Sequence, residues 1–208
     1  MVRVYAPLMS MDASGTLADA ATFSKWKCRN YVRQRVVPAN PNSGPQMSVR
    51  AMMRFLSQAW DALSAANKAT WQTRADQTII STFNAFTSYN LARWRSFKAP
   101  SKEDPATEVG AAPTAPTTTV TAGVRELQLS IADGATPPDW AWLIFRSTVT
   151  GFTPSFSNLV RVVPRTGTPT VYIDTGLVTG TTYYYRIKGT LATGVSGTLE
   201  AEKSGTPT

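Results

Sequence analysis

Residues 99–116 carry four prolines (Pro100, Pro105, Pro113 and Pro116), no aromatic side chain and, in Val109, a single branched aliphatic. Proline lacks the amide donor that helix and sheet ladders use, so this stretch predicts neither a helix nor a central strand. Extended polyproline-like backbone is its natural state, and 18 such residues span at most about 55 Å at roughly 3.1 Å each. The segment therefore predicts a spacer between two separately folded parts, residues 1–98 and 117–208. At 208 residues with 42% apolar composition, the chain has enough material for two cores.

Charge divides at the same place. Residues 1–100 hold 13 Lys and Arg against 4 Asp and Glu, while residues 101–208 hold 8 against 9. A basic surplus of this size bears on partners rather than on fold, and favours an anionic neighbour such as nucleic acid or an acidic protein face. Solubility alone would also account for it.

Within the first part, residues 15–37 are rich in Thr, Phe, Trp, Tyr and Val, with a reversal expected near Cys28, Arg29 and Asn30. The pattern predicts a β-hairpin that must lean on something else, because isolated hairpins are marginal in water. Pro38 and Pro41 end the extended region. Ser43 then caps a helix with Pro45 in its first turn, and Val49, Met52, Leu56, Ala59, Trp60 and Leu63 recur at helical spacing. Ser64 caps a shorter second helix carrying Trp71 and Ala75, and a third is expected over 82–97.

After the spacer the texture is all-β. Runs at 124–131, 140–146, 159–163, 170–173, 182–188 and 197–202 are separated by Gly, Pro, Asp and Thr clusters, the rhythm of a β-sandwich. The expected fold class is thus α+β multidomain: an N-terminal β-hairpin plus a three-helix unit, a Pro-rich linker, and a C-terminal sandwich.

Leu177, Thr179, Gly180, Thr181, Tyr183, Tyr185 and Ile187 resemble the fibronectin type III signature. The resemblance implies that Tyr183 forms a tyrosine corner, its hydroxyl bonded to backbone, with Tyr185 and Ile187 pointing inward. Trp142, Phe145, Tyr172 and Asp174 fit that family's central strand and its approach to the corner. The family's early-strand tryptophan is absent, with Ile131 nearest, which implies a core repacked around Trp140 or Trp142.

In the first part, Ser14, Gly15, Thr16, Thr22, Phe23, Trp26, Tyr31, Pro38, Asn40 and Pro41, continuing through Trp60, Leu63, Lys68, Trp71, Phe83 and Phe86, are similar to an uncharacterised family of small tailed-bacteriophage and prophage proteins. The similarity covers nearly all of residues 1–98 and implies a gene in a phage structural neighbourhood. Cys28 departs from it, standing where such proteins often carry glycine.

Lys25, Lys27, Arg29, Arg33 and Arg35 share odd numbering with Tyr31. Alternate side chains of extended backbone share a face, so these residues predict a basic stripe with one aromatic, suited to DNA phosphate or an acidic virion surface. The solvated outer face of an amphipathic hairpin is the plain alternative. Arg93, Arg95 and Lys98 close the third helix, where cations meet the negative end of its dipole. Trp26, Trp60, Trp71 and Trp94 are stacking candidates for bases, although aromatics at helical spacing more often fill a core. Trp60, Leu63, Ser64, Lys68 and Trp71 also resemble the middle of an HMG box, without that family's long second helix or basic flank.

Catalytic designs find little here. The chain has no histidine and one cysteine, Cys28, so no internal disulfide forms and no imidazole activates the thiol. No nucleophile elbow, phosphate loop, dinucleotide fingerprint or paired-cysteine motif occurs. Glu103, Asp104 and Glu108 fall in the spacer, where water would defeat carboxylate tuning. No cofactor and no metal are expected. Without a long apolar run or a leader-like N-terminus, the chain reads as a soluble, cytosol-made protein with no membrane partner. The expected function is a non-enzymatic structural or accessory protein of a tailed-phage virion, present in multiple copies and contacting capsid, connector or tail proteins. It would dock by residues 1–98 and display the sandwich. The alternative is a DNA-binding protein using the basic half.

Overall fold

Alternating Thr, Phe, Tyr and Val side chains place β3 (Ala21–Trp26) against β4 (Arg29–Gln34), with Trp26 opposite Arg29 and Ala21 opposite Gln34. The hairpin is flanked by β1 (Val2–Arg3) on β4 and β2 (Gly15–Leu17) on β3, giving an antiparallel sheet in the order β1-β4-β3-β2. Its support is two further strands. Arg29 and Asn30, expected at the reversal, already belong to β4. The computed structural model describes residues 2–3, 15–17, 21–26, 29–36 and 42–208; the turn expected at Cys28 and the proline break at Pro38 and Pro41 lie outside them.

The helices follow the sequence pattern closely. Ser43 holds the N-cap position of α1 (Gly44–Asp61) in extended backbone, with Pro45 in the first turn, but its side chain makes no capping hydrogen bond. Met52, Leu56 and Leu63 are buried as the periodicity requires, joined by Phe55. Ser64 Oγ accepts from the Asn67 amide at the start of α2 (Ala65–Thr70). The expected second helix is interrupted at Trp71 and resumes as α3 (Gln72–Thr78). Finally α4 (Thr82–Arg95) begins at Ser81, whose Oγ accepts from the Asn84 amide.

Seven strands follow: β5 (Thr117–Gly123), β6 (Glu126–Ala132), β7 (Ala141–Ser147), β8 (Leu159–Pro164), β9 (Thr170–Thr175), β10 (Tyr183–Thr190) and β11 (Lys203–Gly205). They form two antiparallel sheets, β5-β6-β9 and β11-β10-β7-β8. Five of the six expected runs are strands. The sixth, 197–202, runs beside β10 through single bonds from the Gly197 and Glu200 amides to Gly189 and Ile187 oxygens.

Strand β7 decides the architecture. Trp142 and Ile144 enter the sandwich interior with Leu127, Leu129, Ile131, Leu177, Tyr183, Tyr185 and Ile187. The intervening Ala141, Leu143 and Phe145, with Leu159 and Val162 of β8, form a second core with Met52, Phe55, Leu56, Phe86 and Trp94 of the helices. Trp142 therefore fills the sandwich, whereas Trp140 lies 5.1 Å from Phe55 in the other core. Each large side chain buried there contributes about 1.5–3 kcal/mol relative to exposure.

This corrects the expected domain boundaries. The chain divides into Met1–Pro41 and Asn42–Thr208, so helices and sandwich belong to one unit rather than being held apart. Residues 99–116 are a strap, not a free spacer. Pro100, Pro113 and Pro116 are buried, and the Lys102 and Glu108 amides donate to Ala192 and Thr193 oxygens at 2.7 and 3.0 Å. The physical reason is the apolar outer face of β7 and β8, which needs a cover that only the helices supply.

Candidate interaction surfaces

The register separates the expected basic stripe. Directly opposed residues of an antiparallel pair share a face. Arg29, Tyr31 and Arg33 of β4 thus lie on one face with Ser24 and Thr22 opposite Tyr31 and Arg33, while Lys25, opposite Asn30, lies on the other. Arg29 and Arg33 are exposed and Tyr31 is half-buried. Arg35 is exposed and follows the end of β4. Lys27 lies outside the described residues. What the structure brings together is therefore Arg29, Tyr31 and Arg33.

The stacking candidates in the helices are core. Trp71 and Trp94 are fully buried, their Nε1 atoms donating to Lys102 O at 3.0 Å and Ser48 Oγ at 2.8 Å. Trp60 is half-buried against Phe83 and Phe86, with Lys68 Nζ 5.5 Å from its ring. The side chain of Trp26 is outside the described residues. Among the helix-closing cations, Arg93 does more than meet a dipole. It pairs with Glu108 at 2.9 Å and donates to Ala99 and Gly194 oxygens, fastening α4 to strap and sandwich.

The strap carboxylates are not loose in water either. Asp104 accepts two bonds from Arg74, at 2.7 and 2.8 Å, and the bonded Arg93 guanidinium, aided by Lys98, holds the Glu108 carboxyl below its usual range. Both are engaged as structural ion pairs.

Inside the sandwich, Asp174 accepts from Arg146 at 2.7 Å, Tyr185 at 2.8 Å and Tyr172 at 3.3 Å. Burial and the neighbouring Asp174 charge push both phenols well above their ordinary value. Burial opposes the Arg146 charge, yet Asp174 outweighs it and raises that pKa too. A hub of this kind keeps two tyrosines protonated and one arginine charged, which is bracing rather than proton transfer. Glu200, raised by burial, accepts from the Thr118 amide and hydroxyl at 2.6 and 2.7 Å. Among the described residues no group of three His, Cys, Asp or Glu could hold a metal ion, and no helix is long and apolar enough to cross a membrane.

Tyr183 settles the sandwich type. Its ring is buried in the interior and its hydroxyl accepts from the Val178 amide, five residues upstream, at 3.1 Å. With a three-stranded sheet of first, second and fifth strands facing a four-stranded sheet of the others, this is the tyrosine corner implied by the sequence. Residues 117–208 form a fibronectin type III-like sandwich. No family model and no curated protein matches the chain. Similar solved structures include a β-1,2-glucanase from Parabacteroides distasonis, at 19% identity and TM-score 0.39, covering 48% of this chain and 13% of that one. An Fn3-like protein from Clostridium thermocellum is 27% identical at TM-score 0.36, covering 47% of this chain and 96% of its own. The chicken CNTN1 FN1-FN3 domains are 17% identical at TM-score 0.35, covering 47% and 35% respectively.

The fibronectin type III-like sandwich leaves few free loops at one end. Asp139, before β7, accepts from the Ala192 amide, and residues 191–194, after β10, hold the strap. A shallow groove of about 520 Å³ lies elsewhere, along α1, lined by Pro45, Gln46, Val49, Arg50, Arg95 and Phe156. Nothing in the sequence reading singled it out, since Phe156 opens a one-turn 3-10 helix (Phe156–Asn158) distant in sequence from both helices.

Proposed function

We propose that the protein is a non-enzymatic structural or accessory component of a tailed-phage virion, present in several copies per particle. It docks to capsid, connector or tail proteins through the basic sheet of its first unit, and its helix-backed sandwich is the body so anchored. The observation that carries this reading is the grouping of Arg29, Tyr31 and Arg33 on one face of a sheet that folds as its own unit. The phage setting is suggested only by the resemblance read in the sequence of residues 1–98, and modules of the fibronectin type III kind mostly bind, space or display.

The test is incorporation. Arg29→Glu with Arg33→Glu reverses the charge of the face at exposed positions, so folding should persist while the protein's share in purified particles, read by mass spectrometry, falls at least about tenfold. Undiminished incorporation removes the docking role. DNA binding is the second reading, favoured by the 13 to 4 excess of basic residues over 1–100. It requires a duplex gel shift whose affinity falls steeply with salt, and a stoichiometric virion component that ignores free duplex excludes it.

A further inference from the structure

In β10, Lys188 pairs with Leu143 of β7, and Arg186 with Phe145. Opposed residues share a face, and Leu143 and Phe145 belong to the core beneath the helices, so Lys188 enters that layer. It is buried, yet among the described residues no carboxylate pairs with it. The nearby acids are engaged elsewhere: Glu108 by Arg93 and Lys98, Asp139 by the Ala192 amide, Glu200 by Thr118, and Glu202 by Thr150 and the Gly151 amide. Arg186, the other cation on this face, lies over the Phe152 ring at 5.9 Å. Burial alone acts on the Lys188 amine and lowers its pKa. Taken out of water without a counter-charge, it favours the neutral form, whose lone pair a nucleophilic amine needs.

One aromatic ring covers this amine. Lys188 Nζ is 4.3 Å from the centre of the Phe97 ring, with Phe145 at 5.8 Å. Phe97 is only half-buried, because it also lines a groove of about 320 Å³ with Lys98, Gly194 and Val195. Amine and groove thus share one ring as their wall. That ring hangs from a strained backbone: Phe97, just past the end of α4, has a φ of 57°, a left-handed conformation disfavoured for any residue with a Cβ. Its movement is what uncovers Nζ to the groove.

We infer that Lys188 is a covalent modification site: a small uncharged aldehyde enters by the groove, passes the Phe97 ring and condenses with Nζ. The amine lone pair adds to the carbonyl carbon, the carbonyl oxygen leaves as water with the two amine hydrogens, and a C=N bond to Nζ remains. The reagent is uncharged because a carboxylate would have to shed its water between the Phe97 and Phe145 rings. The inference is independent of the virion reading, since Lys188 belongs to the other unit.

Propanal with cyanoborohydride, which reduces the imine to a stable secondary amine, tests it on the full chain. Sites of N-propylation are mapped by peptide mass spectrometry at limiting reagent. At neutral pH Lys188 should react at least about fivefold faster than the exposed Lys98, being the less protonated of the two. That lead should shrink toward about pH 10, where the Lys98 amine also loses its proton. Unfolding in urea should abolish the lead, as should glyoxylate used as the aldehyde. A Lys188 that stays unmodified in the folded chain, that reacts no faster than Lys98 at neutral pH, or whose lead survives urea or glyoxylate overturns the inference. Lys188→Arg removes the amine and keeps the charge, so it should lose the early adduct with an unchanged circular dichroism spectrum; an undiminished early adduct in that variant overturns the inference as well.

Discussion

Lys188 points from β10 toward the helices rather than into water. It is 8% exposed, with Nζ 4.3 Å from the centre of the Phe97 ring and 5.8 Å from that of Phe145. The ring faces favour its charge, but burial prevails and lowers its pKa. Because the folded value lies below the unfolded 10.5, the native state binds fewer protons in that interval, and stability rises as pH climbs through it. Urea midpoints should therefore increase as the pH is raised toward the unfolded value, until ionisation of Tyr172 and Tyr185 in the unfolded chain, near about pH 10, opposes the trend. Lys188→Met should flatten the trend; an equally steep trend in that variant removes Lys188 as its cause. The alternation of Tyr183, Tyr185 and Ile187 made the outward direction of Lys188 legible in the sequence. That outward meant beneath a helix was not, since nothing local to β10 records what covers its second face.

At the scale of elements, the strap differs most from its sequence. Four prolines and scattered charges describe solvated polyproline equally well as they describe a segment tied at intervals. The ties come from distant residues. Asn90 accepts from the Ser101 amide at 2.7 Å and donates to its carbonyl at 3.0 Å, and Trp71 donates to Lys102. Close approach fixes the other end, where a Cβ at Gly197 would fall 2.6 Å from the Pro113 carbonyl oxygen. The Lys102 and Glu108 amides should accordingly resist hydrogen exchange by NMR, whereas a free spacer would exchange them at once. Asn90→Ala leaves two buried backbone groups unpaired, so it should cost about 2–4 kcal/mol in chemical unfolding and release the Lys102 amide. Other elements were readable because their information is local: the α1 stripe, the cap at Ser64 and the corner at Tyr183. Strand β5 escaped because its Thr-rich run buries only Thr118, leaving no apolar alternation to see.

For the whole molecule, the shared core predicts how it comes apart. A fragment of residues 117–208 would expose Ala141, Leu143, Phe145, Leu159 and Val162 together, a contiguous apolar face. Expressed alone it should aggregate or bind a hydrophobic dye, while residues 42–208 stay soluble and unfold in one transition, coincident by tryptophan fluorescence and far-ultraviolet circular dichroism. A well-behaved isolated sandwich would contradict that. The continuous apolar run from Ala141 to Phe145 was visible in the sequence, and such runs mark strands buried on both sides; the proline count directed attention elsewhere. Double-sided burial of β7 also limits what a chimera can contain. A sandwich transplanted from an unrelated protein, with the usual hydrophilic exterior on that sheet, would set polar groups against Phe55 and Trp94, so the graft would have to bring its own helices with it.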